Sequence, residues 1–261
     1  MNFRVILAIV VALFFGGSYL LKTSENPVTG ETQRVGLTPQ QEIALGMNSA
    51  PQMAAQFGGV SRNEQSARLV QTVGEKLVAR SVAAKSPYKF SVRALADPRT
   101  INAFALPGGP VFITEGLLRL LHTEGEVAAV LGHEIGHVLA RHSAEHLAKQ
   151  QLMQGLVGAV AVGSGDYNTA QMAQVVGNLI NMKYGRDDEL EADSLGVRIM
   201  AEGGYDPRAM LKVMEVLAKA SAGSRQPEIL SSHPNPGNRA ERIQAEIHKR
   251  FPNGVPEGLT K

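Results

Sequence analysis

Two histidines and a glutamate lie close together in the segment His133-Glu134-Ile135-Gly136-His137. On an α-helix, residues four apart lie on one face, about one turn from each other, so both imidazoles can bind the same metal ion. The glutamate beside the first histidine then reaches a metal-bound water rather than the metal, and can accept its proton. The spacing predicts a metal-dependent hydrolytic site, with His133 and His137 as ligands and Glu134 as general base.

The residues around this motif are apolar on every side of the predicted helix, which indicates that the helix is buried. They are Val127, Ala128, Ala129, Val130, Leu131, Ile135, Val138 and Leu139. A buried helix has little reason to place a carboxylate between two histidines, because an unpaired buried charge is costly. One bound zinc ion per chain, Zn(2+), supplies that reason. The alternative is a motif that merely packs in the core.

A catalytic zinc site takes three protein ligands and leaves a position for water. The chain has no cysteine, so the third ligand must be a histidine or a carboxylate. Ala140 and Ser143 stand where the metzincin extension H-x-x-G-x-x-H would have its glycine and histidine. The third ligand must therefore come from elsewhere, and the acidic segment at 187–193 is the candidate.

A helical wheel separates the carboxylates of that segment. At about 100° per residue, Glu189 and Asp193 fall within the arc of apolar positions, and Glu191 falls on the opposite side. We therefore expect Glu189 to be the third ligand, Asp193 to hydrogen-bond a ligand histidine, and Glu191 to face solvent. The helix dipole favours acidic residues at a helix start, which accounts for Asp187 and Asp188 but not for two inward carboxylates.

The remaining histidines are weaker candidates. His233 lies between Ser232 and Pro234 in a loop stiffened by prolines, and its spacing leaves open whether it reaches the metal site. Four others are expected to have surface or structural roles: His122, His142, His146 and His248.

Four ordered motifs resemble one known family. They are N-A-F-x-L-P-G-G at 102–109, H-E-I-G-H at 133–137, E-x-x-x-D at 189–193 and S-H-P…R at 232–239. Together they resemble the gluzincin metallopeptidases that include the CAAX prenyl endopeptidases, the HtpX-type and Oma-type membrane proteases, and periplasmic quality-control proteases. The resemblance covers residues 38–250, and is closest to the single-domain periplasmic members because the chain lacks several transmembrane segments.

The resemblance implies a mainly helical α+β zincin (gluzincin) domain with a small β-sheet and an H-E-x-x-H active-site helix. It implies that Glu189 is the third zinc ligand and that Arg239 lies near the metal carboxylates. His233, together with Arg239, would stabilise the transition state; in a latent state His233 would instead occupy the open zinc position. A prenylated substrate is not expected.

An exposed strand within residues 103–114 is expected to bind an extended peptide substrate by β-augmentation. The candidate substrate-binding residues are Asn102, Ala103, Phe104 and Ala105. The alternative is an ordinary core strand.

Capping signals and periodicity predict the elements that must position these residues. One helix is expected at 38–57, and a second is expected to begin at a capping box at 61–64 and to end near 84. Strands are expected at 88–94 and within 102–114. A helix opened by a capping box at Thr123 is expected to run past Lys149. Further helices are expected near 169–184, 187–202, 207–220 and from Asn235-Pro236 to 250. Helices, a small sheet and then helices again predict an α+β domain.

The N-terminus has the layout of an export signal. Arg4 precedes an uncharged apolar run at 5–21, and no A-x-A cleavage site follows. An inner-membrane anchor is therefore favoured over a cleaved signal peptide (residues 1–21), with a buried helix as the third reading. Residues 22–37 are expected to be a linker, 38–250 the zinc metallopeptidase domain and 251–261 a C-terminal tail. The exported part of the chain is expected to lie in the periplasm.

Composition limits the partners. The net charge is only +2, so a nucleic-acid partner is not expected. The predicted function is a zinc-dependent endopeptidase acting on unfolded or misassembled envelope proteins, with the membrane as a partner through the N-terminal segment. The alternatives are a zinc-containing chaperone or latent scaffold, and a zinc enzyme with a non-peptide substrate. The apolar stretch 152–162 is expected to be a core or lid helix rather than a membrane-facing one.

Overall fold

Helices account for most of the chain in a computed structural model that describes residues 3–164, 183–222, 227–234 and 237–261. The helices are α1 (Phe3–Leu21), α2 (Pro39–Gln56), α3 (Glu64–Arg80), α4 (Glu115–Leu118), α5 (Glu124–Leu139), α6 (His142–Ser164), α7 (Arg186–Gly203), α8 (Ala209–Ser221), α9 (Ile229–Ser232) and α10 (Arg239–Arg250). The strands are β1 (Thr23–Glu25), β2 (Thr32–Arg34), β3 (Ser91–Leu95), β4 (Ala103–Ala105) and β5 (Pro110–Thr114). The predicted mainly helical α+β fold with a small sheet is confirmed.

The capping boxes set where the first helices begin. Thr38 and Thr123 form the predicted boxes with Gln41 and Glu126 and open α2 and α5. The predicted box at Ser61 was wrong: Asn63 caps α3, and the Ser61 hydroxyl instead donates to Glu115 Oε1 at 2.6 Å. Helix α3 also ends at Arg80 and is followed by a 3₁₀ turn at Val82–Lys85.

The three-stranded sheet has the order β3-β5-β4, with β3 parallel and β4 antiparallel to β5. A tight turn at 107–109 joins β4 to β5, as predicted. Gly108 in this turn has φ 77°, and a Cβ there would lie 2.3 Å from the Ile43 backbone, so only glycine fits. Strand β4 forms one edge of this sheet and packs against α5.

Helix α5 is buried along nearly its whole length and contacts α3, α7, α8 and β4. It approaches α7 most closely at Gly136, where a Cβ would lie 2.9 Å from the Ala192 carbonyl oxygen. Because the glycine lets the two backbones come together, short carboxylate side chains on α7 can reach the histidines of α5.

Helix α5 ends at Leu139, so the prediction of one helix running past Lys149 was wrong. Arg141 adopts φ 62°, a left-handed conformation that costs a non-glycine residue roughly 1–2 kcal/mol, and α6 begins in a new direction at His142. The Arg141 guanidinium is fixed by Glu42, to which Nε donates at 2.9 Å, and by the Leu37 carbonyl, to which Nη2 donates at 2.7 Å.

Residues 22–37, expected to be a linker, contain the antiparallel hairpin β1–β2, and this hairpin caps the end of α5. The Asn26 amide donates to the Leu139 carbonyl at 2.9 Å, and the Gln33 amide donates to the Ala140 carbonyl. These two carbonyls belong to the last turn of a helix and lack partners within it, so the hairpin supplies the hydrogen bonds that close α5 here.

Helix α1 is long and apolar enough to cross a membrane, with mean hydropathy 2.1. It packs against α6 and leaves a large apolar surface exposed. A signal sequence has the same properties, so anchor and signal both stay predictions.

In the C-terminal tail, Thr260 forms backbone hydrogen bonds with Gly204 and Asp206. The helix expected near 169–184 lies largely outside the described residues, as does the helix start expected at 235–236.

Candidate metal centre

Four buried side chains converge between α5, α7 and the loop after α9. One ligand atom from each of His133, His137, Glu189 and His233 lies within 4.8 Å of all the others. His137 Nε2 is 3.0 Å from His133 Nε2 and 3.4 Å from Glu189 Oε1. Ligand atoms about 2.1 Å from a tetrahedral ion lie roughly 3.4 Å apart, so these spacings fit a single bound metal.

The charges of the ligands also fit a metal. Burial lowers the pKa of His137 well below its usual value, so the ring is neutral, the form that binds metals. Burial alone would raise the pKa of Glu189, but His233 and His137 outweigh it and hold that pKa far below its usual range. Glu189 is therefore an anionic oxygen donor that faces the neutral nitrogen donor of His137.

Glu134 lies at this cluster, fully buried, and neither carboxylate oxygen has a hydrogen-bond partner among the described residues. Its Oε1 is 3.6 Å from His233 Nε2. Buried carboxylates are ordinarily hydrogen-bonded. Burying a neutral polar group without a hydrogen bond costs roughly 2–7 kcal/mol, and burying an ionised carboxylate in that way costs more. An attacking water held at a metal centre would supply the missing donor.

The His133 ring is held from behind by a carboxylate. Its Nδ1 is 2.9 Å from Asp193 Oδ1, which leaves Nε2 free to face the cluster. Arg239 donates two hydrogen bonds to the same carboxylate, from Nη2 at 2.7 Å and from Nε at 2.8 Å. Its Nη1 lies 2.8 Å from Glu189 Oε2. Burial alone would raise the pKa of Asp193, but the hydrogen bonds from Arg239 and His133 lower it below its usual value.

The His137 ring has a different support, which sequence reasoning missed. Its Nδ1 is 2.8 Å from Nδ1 of His142, and His142 Nε2 is 3.1 Å from Glu191 Oε2. The other face of the His137 ring stacks on Tyr184 at 4.0 Å between ring centres. His142 is 1% exposed and the Glu191 side chain 24%, so Glu191 faces solvent only in part and also bonds a buried histidine.

The loop after α9 brings His233 into the cluster, which its spacing had left open. Its Nδ1 is 3.0 Å from Glu189 Oε1 and 3.4 Å from His133 Nε2. Burial would lower the pKa of His233, but the negative charges of Glu134 and Glu189 raise it above the usual value. In this structure His233 thus lies within reach of both Glu134 and the candidate metal ligands.

The four candidate substrate-binding residues lie on and beside the edge strand β4. The Asn102 amide donates to Glu228 Oε1 at 3.1 Å, and Ala103 is fully buried in the core. The Phe104 ring packs between the rings of Phe57 and Phe112, at 5.3 and 5.1 Å between centres. With these side chains already engaged, a peptide bound here would contact the backbone edge of β4.

A mostly apolar recess opens beside the cluster and was not foreseen from the sequence. His133, Glu134 and His233 form its polar end. Its apolar wall comes largely from α8 and its neighbours: Val130, Met210, Val213, Met214, Leu217 and Ile243. These residues lie far apart along the chain, so no local motif marks the recess.

Comparison with known proteins agrees with this geometry. Residues 64–247 match the sequence model of the family described as "Peptidase family M48". The chain is similar to the "Beta-barrel assembly-enhancing protease" of Yersinia pestis, with 33% identity over 87% of this chain and 48% of the relative. The protein of the same name from Escherichia coli (strain K12) is 35% identical over 65% of this chain and 36% of its own length.

A mitochondrial protein is also similar. The "Mitochondrial metalloendopeptidase OMA1" of Saccharomyces cerevisiae is 33% identical over 62% of this chain and 48% of its own length. The chain thus spans about half or less of the curated relatives described here. The match to the family covers the sheet, α5 and α7, which are the elements that carry the metal cluster. The chain therefore belongs to peptidase family M48.

Proposed function

We propose that this chain is a zinc-dependent endopeptidase that cleaves unfolded or misassembled proteins of the bacterial envelope. The observation that carries the proposal is the buried Glu134 carboxylate, which has no hydrogen-bond partner in the described part of the chain and lies beside a set of metal-ligand atoms. A structural metal site needs no base, whereas a hydrolytic one does. His133, His137 and Glu189 would hold one zinc ion.

Bound zinc would lower the pKa of a water molecule to about 7 and polarise the peptide carbonyl. Glu134 would accept a proton from the attacking water and deliver it to the leaving amine. His233 is placed 3.6 Å from Glu134 and would donate a hydrogen bond to the carbonyl oxygen as negative charge develops on it. Asp193 would keep the proton of His133 on Nδ1.

The contacts of Arg239 favour a different role from the expected oxyanion contact. Its guanidinium nitrogens already face Asp193 and Glu189 at 2.7–2.8 Å. We infer that Arg239 is a positioning residue, which neutralises two buried carboxylates and fixes their orientation.

Three features support an envelope substrate. Two relatives are named as β-barrel assembly-enhancing proteases. The apolar helix α1 would direct export or anchor the chain in the inner membrane, with the catalytic domain in the periplasm. The edge strand β4 offers backbone groups to an extended peptide, and only unfolded segments can pair with it.

Metal removal tests the proposal. Treatment of the purified chain with a zinc chelator should abolish cleavage of casein, an unfolded substrate, because the water would no longer be activated. Added zinc should restore cleavage, which mass spectrometry of the fragments would follow. Cleavage that survives complete removal of zinc, verified by elemental analysis, would contradict the proposal.

A second candidate function rests on the position of His233. With Nδ1 at 3.0 Å from Glu189 and 3.4 Å from His133, the ring is placed to fill the fourth metal position, as in a latent scaffold or chaperone. Zinc-loaded chain that prevents aggregation of unfolded protein without cleaving it would favour this function. His233→Ala would then release activity, whereas an enzyme that uses His233 for catalysis would lose it.

The apolar recess beside Glu134 predicts a preference for a large apolar residue next to the cleaved bond. Met214→Asp would place a charge in the recess and should reduce kcat/KM for such peptides by roughly 10- to 200-fold, the range for misfit in apolar pockets. Ala218→Asp on the exposed side of the same helix is the matched control. Equal cleavage of peptides with leucine and with serine at that position would contradict the preference.

A further inference from the structure

We infer that His142 and Glu191 position the metal ligand His137 through a chain of two hydrogen bonds that ends at the protein surface. The inference rests on the proposed zinc site. The chain runs from His137 Nδ1 to His142 Nδ1, at 2.8 Å, and from His142 Nε2 to Glu191 Oε2, at 3.1 Å.

The chemistry of the ligands gives these bonds a single direction. Nε2 of His137 faces Glu189 and His133 at 3.4 and 3.0 Å, so this nitrogen is the one that offers a lone pair to the metal. A neutral imidazole then carries its proton on Nδ1 and donates it to His142 Nδ1. His142 must in turn carry its own proton on Nε2, where the Glu191 carboxylate accepts it. Each partner thus fixes the tautomer of the next.

The break between α5 and α6 makes this contact possible. In one continuous helix, positions 137 and 142 would differ by about 140° around the axis and could not face each other. The left-handed Arg141 turns the chain so that His142, the first residue of α6, folds back onto the His137 ring. The hydrogen bonds that fix Arg141 to Glu42 and Leu37 therefore also hold His142 in place behind the proposed metal ligand His137.

The two ligand histidines are consequently held in unlike ways. His133 meets the buried Asp193 directly, and Arg239 anchors that carboxylate. His137 meets a neutral imidazole, and the carboxylate behind it is a quarter exposed. One turn further along α6, His146 bonds Asp188 at 2.8 Å. His146 packs edge-on against Tyr184 at 5.6 Å, and Asp188 Oδ1 lies 3.9 Å from His142 Nε2, but no hydrogen bond joins His146 to His137 among the described residues. His146 is therefore the control for loss of a neighbouring histidine that gives His137 no hydrogen bond.

Zinc affinity of the full chain tests the inference, measured by competition with a chromophoric chelator. His142→Leu keeps the bulk but removes the acceptor, and should weaken zinc binding about 10- to 100-fold, as for other partners of ligand histidines. His142→Asn places an amide oxygen where Nδ1 was, and should bind zinc within about threefold of wild type. Glu191→Ala should give an intermediate loss, and His146→Leu none.

The absorption spectrum of cobalt-substituted protein gives a second readout, because it reports the ligand geometry rather than the stability of the fold. It should shift in His142→Leu and remain like wild type in His142→Asn and His146→Leu. Should His142→Leu fail to fold, the partly exposed Glu191→Ala carries the test. Unchanged affinity and spectrum in His142→Leu or Glu191→Ala would overturn the inference, as would equal losses in the Leu and Asn variants of His142. A wild-type chain that binds no zinc would count against the proposed function instead.

Discussion

Glu134→Gln should lower kcat/KM for casein or a peptide substrate by about 10³- to 10⁴-fold, the upper part of the range for loss of a general base. The amide has the same shape as the carboxylate but cannot accept the proton of the attacking water. Zinc content, measured by elemental analysis, should remain near one ion per chain, because the Glu134 carboxylate is not among the proposed ligands.

The stability of this variant gives an independent check. Both Glu134 oxygens are buried without a hydrogen-bond partner among the described residues, so the metal-free wild type holds a poorly solvated carboxylate, with His233 Nε2 3.6 Å from its Oε1. Removing that charge should leave the melting temperature of the metal-free protein unchanged or higher. Glu215→Gln, at an exposed position of α8, is the control and should change neither activity nor stability. A Glu134→Gln enzyme with full activity would end the proposed mechanism.

Glu189→Ala should lose the metal, with zinc affinity falling by more than about 100-fold, beyond the effect of replacing a partner of a ligand. The loss has two physical causes. The variant lacks the anionic ligand, and it leaves the Nη1 side of Arg239, 2.8 Å from Glu189 Oε2 in the wild type, without its carboxylate. Peptidase activity should disappear together with zinc.

The matched control for this substitution is Asp187→Ala, an acidic residue in the same first turn of α7 that is exposed. It should keep zinc and activity. Glu191→Ala, which the sequence alone would recommend as a control, is unsuitable because Glu191 hydrogen-bonds His142. If Glu189→Ala retained wild-type zinc affinity, the third ligand would have to be another residue of the cluster, and His233 is placed for that role.

Local patterns predicted much of the cluster. A four-residue spacing on one helix brings His133 and His137 together, and the wheel for α7 placed Glu189 and Asp193, which are both buried, among the apolar positions. Both inferences use only the helical repeat, which the backbone imposes wherever a helix forms. The same argument did not predict that the partly exposed Glu191 bonds His142, because a helical wheel compares positions with the apolar core and takes no account of polar contacts beside it.

Contacts between distant segments decided the rest. The sequence around 140–149 has helix-forming residues throughout, and nothing local ends α5 at Leu139. The break depends on hydrogen bonds from Asn26, 113 residues away in sequence, and from Gln33, together with the Glu42 carboxylate that fixes Arg141. A propensity of a few tenths of a kcal/mol per residue is easily overridden by such tertiary interactions.

The histidine-glutamate-histidine motif and its partner glutamate were thus determined by the sequence itself, because helical periodicity is a local property. Only the tertiary structure decided that His233 enters the cluster and that His142 lies behind His137. The reason is physical: the loop after α9 and the turn at Arg141 take their directions from packing and hydrogen bonds with other elements, and no spacing along the chain encodes those directions.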